Sequence, residues 1–331
     1  LLSSAISTYG QLNFEKNNHQ LEINKLENKI NTKNYVLIEK IEKLQTYLDD
    51  AENNGEICID TETTSLDPHQ ADLVGISLST KIGEACYVPI GHKNCKNLEE
   101  KKIINLIKPT LEDASIKKIG QNIKFDYIIL NKRGISMNSM EDTMLMSYVL
   151  DAGNNRHNMD TLSKIHLNHS PISYKDLVGT GKKQLNFSDV NILEAKDYAA
   201  EDADITYRLF KILSKKLKRE NLLNIYEIFE KPLIKILSSM EINGVKIDEK
   251  FLKKLSLKFE KKIEKLEEEI YKLSKKKFKI GSTKQLGEIM YNDLKIAATK
   301  KTKKGSFATS ASVLEDLTFK GHIFPKLVLE W

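Results

Sequence analysis

Up to residue 33 the apolar positions are sparse, and only Ile23, Leu26 and Ile30 keep a helical spacing, so residues 1–33 read as a linker or a loosely attached N-terminal extension. The pattern then tightens. Residues 35–38 predict a strand and 41–48 an amphipathic helix. Residues 56–60 form a short apolar strand that closes on an acid, and 73–78 and 85–90 are further strands, punctuated by Pro68, Gly75, Gly83 and Gly91. A helix is expected over 103–111, a short strand over 116–119, and two more helices over 123–130 and 140–150. Residues 151–185 are loop-rich with one short helix around Leu162, and 192–217 read as one long helix. Strands first and helices after predict an α/β fold, a mixed sheet covered by helices.

The pattern changes near residue 220. From Leu223 onward it is almost wholly helical, with a stop at Asn243-Gly244. Leu252, Leu255, Phe259, Ile263, Leu266, Ile270 and Leu273 recur at three- and four-residue steps, which predicts a long helix with a coiled-coil-like seam for a partner helix. Gly281-Ser282 ends it, and Ser282-x-x-Gln285 resembles a capping box for the next helix. These changes divide the chain into 1–33, 34–220 and 221–331. The chain opens on Leu1 and closes on Trp331 inside an apolar run, and it reads as a piece of something longer.

Composition narrows the class. Hydrophobic residues make up 40% and charged residues 30%, and no stretch approaches the roughly 20 apolar residues of a membrane span, so no membrane partner is expected. No basic region followed by an apolar run marks a signal peptide, and cytoplasmic residence follows as the expectation. Cys58, Cys86 and Cys95 have neither the count nor the spacing of a disulfide framework or zinc ribbon. Charge is uneven: residues 271–304 hold eleven lysines against Glu288 and Asp293, a local +9 that leaves the rest at −3 in a chain of +6. Such a segment, with Lys275, Lys276 and Lys277 in it, is either a grip on a polyanion or a solvated lysine face.

Candidate chemistry is acidic. Asp60 and Glu62 close the strand at 56–60, where an extended chain would point both to one face. Two carboxylates held together repel unless a cation neutralises them; equally, Asp60 could cap a turn and Glu62 be solvated. Asp126 follows Gly120-Gln121-Asn122-Ile123-Lys124-Phe125, where strand gives way to helix, and a place near a helix N-terminus would suit it without any ligand. In Tyr198-Ala199-Ala200-Glu201-Asp202-Ala203-Asp204, Tyr198 and Asp202 are four apart and share a helix face, while Glu201 and Asp204 point elsewhere and read as solvated. Gly179-Thr180-Gly181-Lys182 lacks the rest of a phosphate-loop pattern, with Asp176 and Lys183 at the deciding positions.

Together these pieces resemble the three motifs of the DEDD exonucleases, tyrosine subtype, as they occur in bacterial family A DNA polymerases. The resemblance continues through Arg156-His157-Asn158-Met159-Asp160, Glu230-Lys231-Pro232-Leu233 and Glu241-Ile242-Asn243-Gly244-Val245-Lys246-Ile247-Asp248 to Ser282-Thr283-Lys284-Gln285-Leu286, and covers roughly residues 34–331. It implies a ribonuclease H-like fold, a mixed five-stranded sheet flanked by helices, followed by a helical thumb-like segment that begins a polymerase domain. It implies 3′→5′ exonuclease activity, proofreading for replication and repair, on single-stranded or frayed 3′ ends of DNA, by a monomer. It implies two divalent cations, Mg²⁺ or Mn²⁺: Asp60, Glu62 and Asp202 for the one nearer the nucleophile, Asp60 and Asp126 for the second. Tyr198 would position the water, Thr61 and Leu66 would touch the terminal nucleotide, and Gln121, Asn122, Lys124 and Arg156 would lie along the strand. The basic helices after residue 270 would hold duplex DNA. Nucleotide addition is not expected of this piece, whose palm and fingers would follow Trp331. The rival expectations are a catalytically silent DNA-binding brace and a stand-alone RNA-trimming exonuclease such as ribonuclease D.

Overall fold

The structure, a computed structural model, describes residues 30–296 and 308–331. The spacing of Ile23 and Leu26, and Lys300, Lys301, Lys303 and Lys304 of the basic segment, lie outside the described residues. The chain divides into two compact units between Gly244 and Val245.

The first unit is built on strands β1 (Val36–Leu37), β2 (Glu56–Thr63), β3 (Leu73–Lys81), β4 (Glu84–Pro89), β5 (Lys117–Gly120) and β6 (Met140–Asp142). Its helices are α1 (Ile41–Asn54), α2 (Glu100–Glu112), α3 (Ile123–Asn131), α4 (Thr143–Asp151), α5 (Met159–Leu167), the short α6 (Tyr174–Val178), α7 (Ile192–Arg219), α8 (Leu223–Ile225) and α9 (Lys231–Asn243). The strands form one sheet in the order β1-β4-β3-β2-β5-β6. β2 pairs antiparallel with β3 and parallel with β5, so the sheet is mixed and β2 is internal. That position explains its nearly continuous apolar start: Ile57, Cys58 and Ile59 are buried because helices cover both faces. Helix α1 stops at Gly55, whose φ of +69° closes the turn into β2.

The arrangement is the ribonuclease H-like one with a helical segment after it, and it corrects the strand count from five to six. Residues 140–150 were expected to be helix throughout; instead Met140–Asp142 pairs with Lys118–Gly120 as an edge strand, and the helix starts at Thr143. Three residues carry too little periodicity to be separated from the helix that follows them.

Helix α7 is the second correction. Glu201 and Asp204, read as solvated, are 2% and 0% exposed. The helix packs against the sheet over its middle turns, and its acids meet donors there. Asp204 accepts from the Tyr35 hydroxyl at 3.0 Å, from Gly83 N at 2.8 Å and from Arg208 Nε at 3.0 Å. Glu201 accepts from His169 Nε2 at 2.9 Å and from Ile172 N at 2.6 Å.

The second unit holds α10 (Glu249–Ser274), α11 (Thr283–Gly287), α12 (Ala311–Phe319) and α13 (Ile323–Glu330). Only part of the α10 seam is covered: Leu266 and Ile270 are buried, with Ile270 in a core that includes Met290, Leu314 and Phe324, while Leu252, Phe259, Ile263 and Leu273 are exposed. The capping box is half formed. Ser282 accepts from Gln285 N, but the Gln285 side chain reaches back to Lys279 N at 2.7 Å instead of to the cap.

Replacing Asp204 with alanine removes one acceptor from two buried donors and a part-buried one. The expected cost is about 3–5 kcal/mol of unfolding free energy, read from urea denaturation. A loss under 1 kcal/mol would mean that α7 is held by apolar packing alone.

Candidate active site

The site stands at the end of β2. Asp60 and Glu62 are two apart in an extended strand and leave it on the same side. Helix α7 delivers Asp202 against them, and one carboxylate oxygen from each of the three lies within 4.8 Å of the others. Pairing of β2 with β3 shifts register between Glu62 and Thr63, the kind of irregularity that re-aims side chains beside a site. Asp126, in the first turn of α3, stands outside this triple. Its Oδ1 accepts from Thr61 N at 2.9 Å and from the Thr61 hydroxyl at 2.6 Å, so the residue between the two strand acids holds the fourth. Tyr198, one turn before Asp202 on α7, lines the same cleft, with its hydroxyl close enough to the Asp202 carboxyl for each to perturb the other.

Crowding sets the electrostatics. Burial pushes the Asp60 carboxyl up to about 6. Burial first, and the neighbouring carboxylates second, hold Glu62, Asp126 and Asp202 well above the ordinary carboxylate range. Asp202 Oδ1 is buried and has no hydrogen-bond partner among the described residues. An unpaired buried carboxylate oxygen facing two more carboxylates is satisfied by a proton or by a cation. The donors are all oxygen, which suits a hard divalent ion better than zinc or copper. The residues therefore fit a divalent metal.

A cleft of about 790 Å³ opens over the acids. Of the expected substrate contacts, Thr61 and Leu66 line it, Leu66 with 94% of its surface exposed. Gln121, Asn122, Lys124 and Arg156 do not. Gln121 Nε2 donates to His157 O at 2.8 Å, which ties the start of α3 to the loop that bears the exposed Arg156. Lys124 forms an ion pair with Glu241. In the second unit, exposed Lys275 and Lys277 flank Lys276, which pairs with Asp293 at 2.5 Å.

Among the cleft residues that escaped sequence reasoning are Tyr174, Gln184, Leu185 and Asn186. Tyr174 stacks on buried Phe187 at 6.4 Å, and Tyr198 packs against both rings at 6.0 Å. Asn186 Nδ2 donates to Thr64 O at 2.9 Å and fastens this wall to the end of β2. These residues lie in a stretch without periodicity, and nothing local marks them; an aromatic inside a polar loop was the only available signal.

Such a sheet, with an acidic cleft at the end of an internal strand and a tyrosine on its helical acid, defines a class of nucleases, and the chain belongs to the 3′–5′ exonuclease family. The profile described as "3'-5' exonuclease" matches residues 35–218, and that of "DNA polymerase family A" matches residues 249–331. The DNA polymerase I of Rhizobium leguminosarum is 42% identical over 318 residues, covering 90% of this chain and 31% of that protein. The DNA polymerase I of Pseudomonas aeruginosa is 38% identical over 286 residues, covering 83% of this chain and 31% of its own length. The chain thus spans about a third of the curated relatives it matches. Among solved structures, the POL domain of Pol1 from M. smegmatis in complex with DNA primer-template and dNTP shares the fold, with TM-score 0.69 and 22% identity over 89% of this chain and 47% of that one.

Raised carboxyl pKa values make the metal-free site sensitive to pH in a defined direction. A carboxyl whose folded pKa exceeds its unfolded value stabilises the fold when protonated. For Asp60 that contribution is full below about pH 4 and is lost as pH rises through about 6. Chelated protein should therefore lose Tm from this site between pH 5 and pH 8, and Mn²⁺ should restore it at pH 8. Asp202→Asn should flatten the slope. A slope indifferent to both Mn²⁺ and the substitution would mean that the carboxylates do not feel one another.

Proposed function

We propose that this chain removes nucleotides from the 3′ end of DNA by hydrolysing the terminal phosphodiester bond, as the proofreading part of a DNA polymerase I engaged in replication and repair. The supporting observation is the convergence of Asp60, Glu62 and Asp202 within 4.8 Å, with Tyr198 beside Asp202 in the same cleft and Asp126 held against Thr61. Asp60, Glu62 and Asp202 would hold one Mg²⁺ or Mn²⁺, and Asp60 with Asp126 a second. A pair of such ions supplies an activated water and neutralises charge on the phosphate and the leaving 3′-oxygen.

The chain's own groups do the positioning. Tyr198 places its hydroxyl at the acids, where it orients the attacking water. Leu66 and Tyr174 offer apolar and aromatic surface to the terminal base, a sequence-independent way to hold a frayed strand. Gln121, Asn122 and Arg156 stand where the start of α3 meets the 156–157 loop, along a path for the preceding nucleotides. Lys275, Lys276 and Lys277 would contact duplex phosphates. We assign residues 34–220 to the exonuclease domain, 221–331 to the start of the polymerase domain with its thumb, and 1–33 to a linker, in a monomer of the bacterial cytoplasm. No helix among the described residues is long and apolar enough to cross a membrane.

The deciding experiment is digestion of 3′-labelled single-stranded DNA with and without Mg²⁺. The wild-type chain should shorten it only with the metal, and Asp60→Ala or Asp202→Ala should lower the rate at least 1000-fold, about 4 kcal/mol of transition-state stabilisation. Tyr198→Phe should slow cleavage with cation affinity unchanged. On a primer-template with four triphosphates the primer should shorten and never lengthen. A folded wild-type chain that binds DNA and leaves it intact would be the silent brace, and cleavage of RNA in preference to DNA would favour the ribonuclease D alternative.

A further inference from the structure

Helix α3 carries Asp126 but does not cap itself. Asn122 occupies the cap position with φ +59° and makes no side-chain bond to the helix, so the first backbone donors need an acceptor from elsewhere. Gly120 keeps the turn tight: a Cβ there would come within 2.8 Å of Ile123 Cγ1. The acceptor is Asp142, the last residue of β6. Its Oδ2 accepts from Ile123 N at 3.0 Å and its Oδ1 from Asn122 N at 3.1 Å. The same carboxylate caps α4, accepting from Met144 N at 2.8 Å and Leu145 N at 3.3 Å. Asp142 is 2% exposed. Its own N–H donates to the Tyr226 hydroxyl at 2.9 Å, and that hydroxyl donates to Glu141 Oε2 at 2.9 Å. Tyr226 is itself fully buried.

We propose that Asp142 is a positioning residue for Asp126: by capping α3 from the neighbouring strand it holds that carboxylate against β2. This rests on the reading of Asp126 as a cation ligand. The need for such a restraint is electrostatic. Asp126 and Asp60 repel, and the repulsion pushes α3 away from β2. The two bonds from Thr61 oppose it at the side chain, and Asp142 opposes it at the backbone. A carboxylate satisfies the donors of both helices at once, whereas an asparagine would aim an amide N–H at Ile123 N while still capping α4.

The test is Mn²⁺ binding to the full chain, followed by electron paramagnetic resonance, alongside Tm and cleavage kinetics. Asp142→Asn should weaken Mn²⁺ binding at the site assigned to Asp60 and Asp126 about 10–100-fold and lower kcat with KM nearly unchanged. Leu48→Ala, a core substitution in α1, should lower Tm and leave Mn²⁺ affinity alone. The inference is overturned if Asp126→Ala weakens Mn²⁺ binding but Asp142→Asn binds like wild type. If Asp126→Ala itself leaves binding and cleavage unchanged, the ligand reading of Asp126 fails first and takes the inference with it. Should Asp142→Asn not fold, Tyr226→Phe carries the test: it removes the acceptor of the Asp142 N–H and should shift the same Mn²⁺ site in the same direction, by less, and wild-type binding would overturn the inference.

Discussion

Like charges repel, and burying them deepens the cost, because the protein offers less screening than water. Asp60, Glu62, Asp126 and Asp202 live under both penalties. Nothing about the four acids favours their approach, so the scaffold has to impose it, and much of the first unit can be understood as the means. β2 is internal to the sheet, braced by β3 and β5, and cannot move its two acids apart. Helix α7 is 28 residues long and is anchored beside Asp202 by two further buried acids, Glu201 and Asp204, each hydrogen-bonded to donors from outside the helix. Helix α3 is secured by Asp142 from β6. Each helix that brings an unfavourable carboxylate to the site is thus fastened by another carboxylate whose hydrogen bonds are satisfied.

The cleft adds a second layer. Its floor is charged and its walls are not: Leu66, Leu185, Tyr174 and Phe125 border the acids. Carboxylates alone repel an anion, so a cation must neutralise them before an anionic ligand gains by entering. Tyr198 joins the two layers. Its ring packs with Tyr174 and Phe187, and its hydroxyl meets Asp202, so one side chain links the wall to the charged floor. The second unit follows a different logic. Half of its longest helix shows an apolar seam to solvent while the other half closes a small core with α11, α12 and α13.

Periodicity alone makes the main elements legible. Five of six strands, the long helix α7 and the seam of α10 follow from alternation or from three- and four-residue spacing, since those are set by backbone geometry within a few residues. The motif residues were legible as candidates for the same reason, because D-x-E in a strand and Y-x-x-x-D in a helix each fix a shared face locally. β6 was lost for want of length. The environments of Glu201 and Asp204 were misjudged because a charged side chain on a helix is usually solvated, and only the packing of α7 on the sheet supplies Tyr35, Gly83, His169 and Ile172 as donors.

By itself, then, the sequence determined which segments are strand or helix and which acids could act together, through forces that operate between chain neighbours. Only the tertiary structure decided that residues 60, 62 and 202 meet, that Thr61 and not solvent receives Asp126 beside them, and that Tyr174, Leu185 and Asn186 form the wall. Those outcomes depend on how β2, α3, α7 and an aperiodic loop pack across more than a hundred residues. No local spacing encodes that packing, because it is set by the burial of apolar faces and the saturation of buried polar groups over the whole unit.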